Sequence, residues 1–176
     1  MYKIKKYTSF NIEIKKYWKE LELNSDNYVF QSYNWLKHWY DQIGSKKENL
    51  YPIIFLVIKD DFPVSLFPFQ LREINNFKVL EFLGNDQNDL NTFLYDTRLT
   101  LEQIKEIWKF IKQEFKVFDA ISLERVPNKL NENNNAMLKL INNLDFISKN
   151  YFVDLKDDWE HIKNSFPKKM VKENTR

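Results

Sequence analysis

The sequence predicts an α/β (α+β) fold in which a mixed, largely antiparallel central sheet is flanked by helices. Three observations predict it. Residues 53–58, Ile-Ile-Phe-Leu-Val-Ile, form an unbroken apolar run of strand length, which fits a strand covered on both faces. Two more strand-type runs follow closely, at 64–72 and 79–83. Connections that short join antiparallel neighbours, because a parallel pair needs a crossover of a dozen or more residues. Amphipathic helical stripes stand on either side of this block, at 11–22, 33–43 and 100–116, and each needs an apolar surface to cover.

The elements follow in order. Residues 2–8 alternate weakly and predict a first strand. Residues 11–22 place Ile14, Trp18 and Leu21 on one helical stripe. Residues 28–31 read as an extended connector. Ser32 is a suitable N-cap for a second helix at 33–43, whose stripe is Trp35, Leu36, Trp39, Tyr40 and Ile43. Gly44 stands where a left-handed C′ residue ends a helix. In the central block, residues 59–63 break the pattern with turn-type residues. Phe67, Phe69 and Leu71 then share one face of the second strand, predicting that this face is the drier one. Pro68 has no N–H, so it demands an edge position or a bulge.

Beyond Gly84 comes the most polar loop of the chain, Asn85-Asp86-Gln87-Asn88-Asp89-Leu90-Asn91. A short strand is expected at 92–95. Thr100 with Gln103 forms a capping box for the third helix, with Leu101, Ile104, Ile107, Trp108, Ile111 and Phe115 inward. A strand is predicted at 118–123, a loop at 124–135, a helix at 135–144 and a strand within 146–155. Asp157 with Glu160 makes a second capping box, ahead of a helix that Pro167 interrupts.

Composition excludes several classes. The 176 residues fit one domain. The formal net charge of +2 is too small to imply nucleic acid, and arginine occurs only at 72, 98, 125 and 176. The chain has no cysteine, so disulfides, thiol chemistry and cysteine-held zinc are excluded. That fits a reducing compartment, and the cytoplasm is expected. The first residues carry no apolar stretch that reads as a signal peptide. No apolar run approaches the roughly 20 residues that span a membrane.

Few residues carry chemistry by type and spacing. His38 and His161 are the only histidines and are not spaced as metal ligands, so no metal is expected. A Ser-His-Asp arrangement has no G-x-S-x-G turn to support it. With two glycines in all, Gly44 and Gly84, there is neither a P-loop nor a G-x-G-x-x-G turn. Asp86 and Asp89 are the catalytic candidates: such a pair supplies a general base, or holds a substrate hydroxyl or amine. The same residues also suit an ordinary solvated turn. Trp35 and Trp39 are substrate-binding candidates that would wall a pocket or stack on sugar rings, although helical spacing also suits a core. Tyr95 is a further substrate-binding candidate. Lys168, Lys169, Lys172 and Arg176 could receive a phosphate or an acidic surface, or form a solvated terminus.

The order of these features resembles a known family. Phe30-Gln31-Ser32-Tyr33-Asn34-Trp35-Leu36-Lys37-His38-Trp39 looks like the F-x-S-x-x-W-L-x-x-W opening of the CelD/BcsL family of acetyltransferase-like proteins. These belong to the GNAT superfamily and are similar to the Fem-type aminoacyltransferases. Leu66-Phe67-Pro68-Phe69 resembles that family's lPl strand, and Leu83-Gly84 with the acidic loop resembles its LG…D segment. Ser165, Lys168, Lys169, Lys172, Asn174 and Arg176 fall on its basic S-x-x-K-K-x-x-R-x-N-x-R pattern, with Lys172 where arginine is usual.

The resemblance covers about residues 28–176. It implies a GNAT-like N-terminal domain at 1–166 and the start of a second GNAT-like half at 167–176. It implies an acyltransferase that moves an acyl group from acyl-CoA (acetyl-CoA) to an amine or hydroxyl in cell-envelope polysaccharide metabolism. The family's glycine-rich acyl-CoA loop has no match here, so the cofactor is not expected to bind this chain alone. The implied partners are a second GNAT-like half or another copy of the chain, and a small-molecule or glycan acceptor. Nucleic acid is not among them. The alternative is a non-catalytic GNAT-like module that binds a glycan, a peptide or a partner domain.

Overall fold

Alternation in the central strands decides the architecture. In the computed structural model, which describes residues 2–114, 118–131, 133–141, 145, 158, 161 and 164, the strands are β1 (Tyr2–Tyr7), β2 (Leu50–Lys59), β3 (Phe62–Ile74), β4 (Phe77–Phe82), β5 (Leu94–Tyr95), β6 (Ala120–Ile121), β7 (Lys129–Leu130) and β8 (Asn133–Asn134). The helices are α1 (Ile12–Asn24), α2 (Tyr33–Gln42) and α3 (Leu101–Glu114). Along β2, Ile53, Phe55 and Val57 face one core, while Ile54, Leu56 and Ile58 face another. Successive strand residues point to opposite faces, so the apolar run needs cover on both. One cover is α3, through Ile104, Ile107, Trp108 and Ile111. The other is α1 and α2, through Ile14, Trp18, Leu21, Leu36 and Trp39.

The main sheet has six strands in the order β1-β2-β3-β4-β6, with β5 paired to β3. All of its pairs are antiparallel except β4 with β6, which is parallel and joined by the α3 crossover. This is the mixed, largely antiparallel sheet flanked by helices that the sequence predicts. The hairpins β2–β3 and β3–β4 turn on Asp60-Asp61 and Asn75-Asn76, all at positive φ. Two-residue loops of that conformation match the twist of the flanking strands.

Several local expectations are corrected. β3 is buried on both faces from Pro63 to Gln70, because α1 packs on the face that carries Leu66. Pro68 is neither on an edge strand nor at the bulge, which falls near Val64. It sits where the neighbour of β3 changes from β4 to β5, so no ladder partner asks for its missing N–H. The connector at 28–31 is a 3₁₀ turn over Val29–Gln31. Gly44 is not left-handed; Gly84 is the glycine at positive φ. The predicted strand at 118–123 is reduced to β6, and the loop at 124–135 contains the β7–β8 hairpin. The helix expected at 135–144 starts as a 3₁₀ turn, Ala136–Lys139.

By internal contacts the chain divides into Met1–Leu144 and Asp145–Arg176, and the sheet belongs to the first unit. In the second, the His161 N–H donates to Asp158 Oδ1 at 3.0 Å. The strand expected within 146–155, the Asp157–Glu160 capping box, the Pro167 break, Lys168, Lys169 and Arg176, and the boundary at 166/167 lie outside the described residues. Among the described residues no helix is long and apolar enough to cross a membrane, and no group of three His, Asp or Glu could hold a metal.

Candidate functional site

The site grows out of the end of β4. Gly84 takes φ +76, a conformation that L side chains rarely adopt. A Cβ there would stand 3.1 Å from Asn88 Oδ1 and 3.2 Å from Leu36 Cδ2, so the bare backbone lets the loop fold back onto α2. The loop then closes on itself, with the Gln87 and Asn88 N–H groups both donating to the Gly84 carbonyl.

Asn88 is the hub of that loop. It is 1% exposed, and a buried amide must find partners. Its Nδ2 donates to the Leu83 carbonyl at 3.0 Å and to Asn91 Oδ1 at 2.9 Å. Its Oδ1 accepts the Trp35 indole N–H at 2.8 Å. Its carbonyl accepts from Arg125 Nη1 at 2.7 Å, and the same Nη1 reaches the Asn85 carbonyl at 3.1 Å. Asn91 completes the network by donating to Asn85 Oδ1 and the Glu124 carbonyl. The segment after β6 is thereby clamped to the loop after β4.

The carboxylates stand at the surface of this clamp. Asp86 is exposed and receives Lys47 Nζ at 2.5 Å. Lys47 also lies over the Trp39 ring, 5.9 Å from its centroid. Asp89 is exposed and, among the described residues, has neither a hydrogen bond nor an ion pair. Trp35 leaves the α2 core stripe on which the sequence placed it. It is 37% exposed and held edge-on by Phe30, with centroids 5.3 Å apart. Trp39 is 5% exposed and packs in the core, so its ring offers little surface to a ligand.

Thus Asp86 and Asp89 share one loop, Trp35 reaches it from α2 through Asn88, and Trp39 touches it only through Lys47. Tyr95 stands apart. It packs against the core on the α3 side and lines a cleft of about 360 Å³ with Asp26, Thr97, Leu101, Asn135 and Lys139. Burial raises the pKa of its hydroxyl, and nearby Asp26 adds to the effect, while the Ala136 N–H opposes it.

Sequence reasoning missed Lys47, Asn88 and Arg125. It also missed a buried carboxylate on β4: Glu81 accepts from Gln70 Nε2 at 3.1 Å and from Arg72 Nη2 at 2.5 Å. Gln70 Oε1 in turn accepts the Gly84 N–H at 3.1 Å. Only Glu81 left a signal, as the one charge inside the run 79–83.

An acyl-CoA donor would need an open phosphate cradle after β4, at the head of the crossover helix. The described residues do not fit one. At the start of α3 the Thr100 hydroxyl accepts the Gln103 N–H, and Gln103 Oε1 accepts the Thr100 N–H. Glu102 adds a negative charge in the first turn.

No family model matches the chain, and no curated protein matches it. The structure is similar to that of glucosamine-6-phosphate N-acetyltransferase from Arabidopsis thaliana, at 16% identity and a TM-score of 0.46 over 86% of this chain and 99% of that one. It is also similar to an aminoglycoside acetyltransferase from an uncultured soil metagenomic sample, in complex with trehalose (TM-score 0.45) and with sisomicin (0.46), each at 11% identity over 88% of this chain and 97% of that one.

Proposed function

We propose that this chain is one half of a GNAT-type acyltransferase. It supplies the acceptor-side wall of an acyl-transfer groove to an amine or hydroxyl substrate of cell-envelope polysaccharide metabolism. A second GNAT-like half, or another copy of the chain, completes the groove in the cytoplasm. The observation that carries this reading is the parting of β4 and β6. Their parallel pairing covers Val79–Ala120 and Leu80–Ile121. β4 then continues through Glu81 and Phe82 beyond its pairing with β6, and the segment after β6 is held by the loop after β4 instead. Ligand crevices in open α/β sheets form at such carboxyl ends, where neighbouring connections diverge. Among the described residues β6 has no further neighbour, and Ile121 is exposed, so the sheet has an edge for a companion.

Acyl-CoA would supply the acyl group as a thioester. Because the start of α3 is closed, the donor is assigned to the companion, and no transfer step is assigned here. This chain's part is to hold the acceptor in place and accept its proton, and positioning alone is worth several kcal/mol in such reactions. Asp89 suits the proton better than Asp86, whose charge Lys47 already compensates. Lys168, Lys169 and Arg176 are proposed to contact an anionic group.

Calorimetric titration with acetyl-CoA tests the assignment: this chain alone should show no binding, and the chain joined to its companion should bind. Tight binding by the isolated chain would move the donor site here. In the joined form, Asp89→Asn should lower turnover about 100-fold or more, the scale of general base catalysis, with a smaller loss for Asp86→Asn. Unchanged turnover in both would favour the second reading, a non-catalytic module for a glycan, peptide or partner domain. The exposed, fixed ring of Trp35 is the observation that favours that reading. There, Trp35→Ala should abolish ligand binding.

A further inference from the structure

We infer that the loop after β4 binds a zwitterionic small molecule, an amine that also carries a carboxylate or a phosphate. Its ammonium would sit on Asp89, its anionic group on Arg125, and its apolar body against the Trp35 ring. This rests on the acyltransferase reading for the ligand's role as acceptor, although binding is measurable without turnover.

The argument starts from Arg125. The described arginines at 72 and 98 each hold a carboxylate, Glu81 and Asp96. Arg125 is exposed and holds none among the described residues. Its neighbour Glu124 accepts from the Ser122 hydroxyl instead. Nη1 of Arg125 is fixed on two main-chain carbonyls, Asn85 and Asn88. Among the described residues its Nε and Nη2 have no partner. A guanidinium carries five donors in a rigid plane that matches carboxylate and phosphate oxygens in pairs. Fixing one nitrogen on the loop therefore orients the remaining edge before any ligand arrives. The backbone at Arg125 is also strained, at φ +57, a left-handed conformation unfavourable for a non-glycine residue.

Asp89 is the counterpart. It follows Asn88, whose carbonyl Arg125 holds, yet the two charges make no ion pair. Arg125 is held instead by the loop carbonyls of Asn85 and Asn88, which leaves the carboxylate of Asp89 free for a ligand's ammonium. Lys47 and Asp86 compensate each other, so among the described residues Asp89 is the uncompensated charge of the loop itself, and Arg125 is the cation fixed onto it. The third wall, Trp35, is bonded to the side chain of the same Asn88. One buried residue thus holds an aromatic face and a guanidinium, with the exposed carboxylate of Asp89 next to it in the chain, and a ligand that meets the two held groups loses little affinity to ordering them.

The test is titration of the full chain, followed by the Trp35 indole N–H resonance and by calorimetry. The probes are phosphoethanolamine and 4-aminobutyrate, with ethanolamine and inorganic phosphate as single-charge controls. At least one zwitterion should bind tenfold or more tighter than either control, and the better of the two identifies the anionic group as phosphate or carboxylate. Asp89→Asn should reduce the zwitterion to the affinity of phosphate, and Arg125→Gln to that of ethanolamine. Because Arg125 also holds the loop, Asp89→Asn is the decisive variant and thermal melting checks the other. Equal binding of zwitterions and controls, or indifference to Asp89→Asn, overturns the site. Zwitterion binding with no acyl transfer in the joined form would leave this site standing and remove the acyltransferase reading. Turnover of an uncharged amine without zwitterion binding would do the reverse.

Discussion

A methyl group at position 44 would meet two aromatic rings. The nearest atoms to a built Cβ are Trp39 Cζ3 and Tyr40 Cδ2, both at 2.8 Å, closer than van der Waals contact permits. Trp39 is buried and cannot swing away without opening the core. Gly44→Ala should therefore destabilise by about 1–3 kcal/mol, the usual cost of overpacking, read as a lower urea midpoint at unchanged slope. The residue type at 44 was legible from the sequence, but for a different reason, space rather than a left-handed turn. Asp96 offers a pH test. Hydrogen bonds from Arg98 hold its carboxyl below the ordinary value, against burial, which raises it. A carboxyl lowered in the folded state contributes stability that is present above its unfolded pKa and lost as pH falls through the folded one. Arg98→Gln removes the largest lowering cause, so burial then governs and the carboxyl moves upward. In urea titrations the parent should lose stability as pH falls below about 4, the ordinary range of an aspartate; the variant should lose less or none over that range, and equal pH profiles would show the pair to be irrelevant to folding.

At the scale of elements, the helices were legible because apolar stripes and caps agreed. Asn11 and Ser32 cap α1 and α2 through their side chains, and Thr100 with Gln103 closes α3 from both directions. Thr100→Ala should cost about 1 kcal/mol, measured by chemical unfolding. Thr100→Ser, which keeps the hydroxyl, should recover most of it. The segment from 122 to 141 was not legible, and the reason is physical. Met137, Leu140 and Ile141 repeat as a helix does, yet Asn135 directs its side chain to distant loop atoms. Its Nδ2 donates to the Pro127 carbonyl and its Oδ1 accepts from Thr92. Asparagine binds local backbone in non-helical conformations as readily as it enters a helix, and a pattern of apolar spacing does not register that choice. The candidate site failed in the same way. Asp86 and Asp89 stand out by charge, but Asn88 and Arg125, which organise the loop, look like any turn residue and any surface cation. Their roles are set by partners 37 residues or more away in the chain.

On the scale of the whole molecule, β2 and β3 belong to two cores at once. Phe55 and Phe67 pack toward α3, while Ile54 and Leu66 pack toward α1 and α2. Neither core can open without exposing the back of strands that the other still needs, so the unit Met1–Leu144 should unfold in a single cooperative step. Ile111 in one core and Ile14 in the other are both fully buried and lie on helices that cover opposite faces. Ile111→Val and Ile14→Val should each cost about 0.5–1.5 kcal/mol. Residues without shared partners add to within about 0.5 kcal/mol, so the double variant should show the sum, with one transition seen alike by fluorescence and circular dichroism. A shift in the tryptophan signal that precedes the loss of secondary structure would mean that one helical layer leaves the sheet independently. The loop after β4, clamped to the α2 layer by Trp35 and to the segment after β6 by Arg125, would then lose its geometry before the fold does. A coincident transition ties the site to the stability of the whole sheet, so core variants far from the loop should weaken zwitterion binding only near their own melting range.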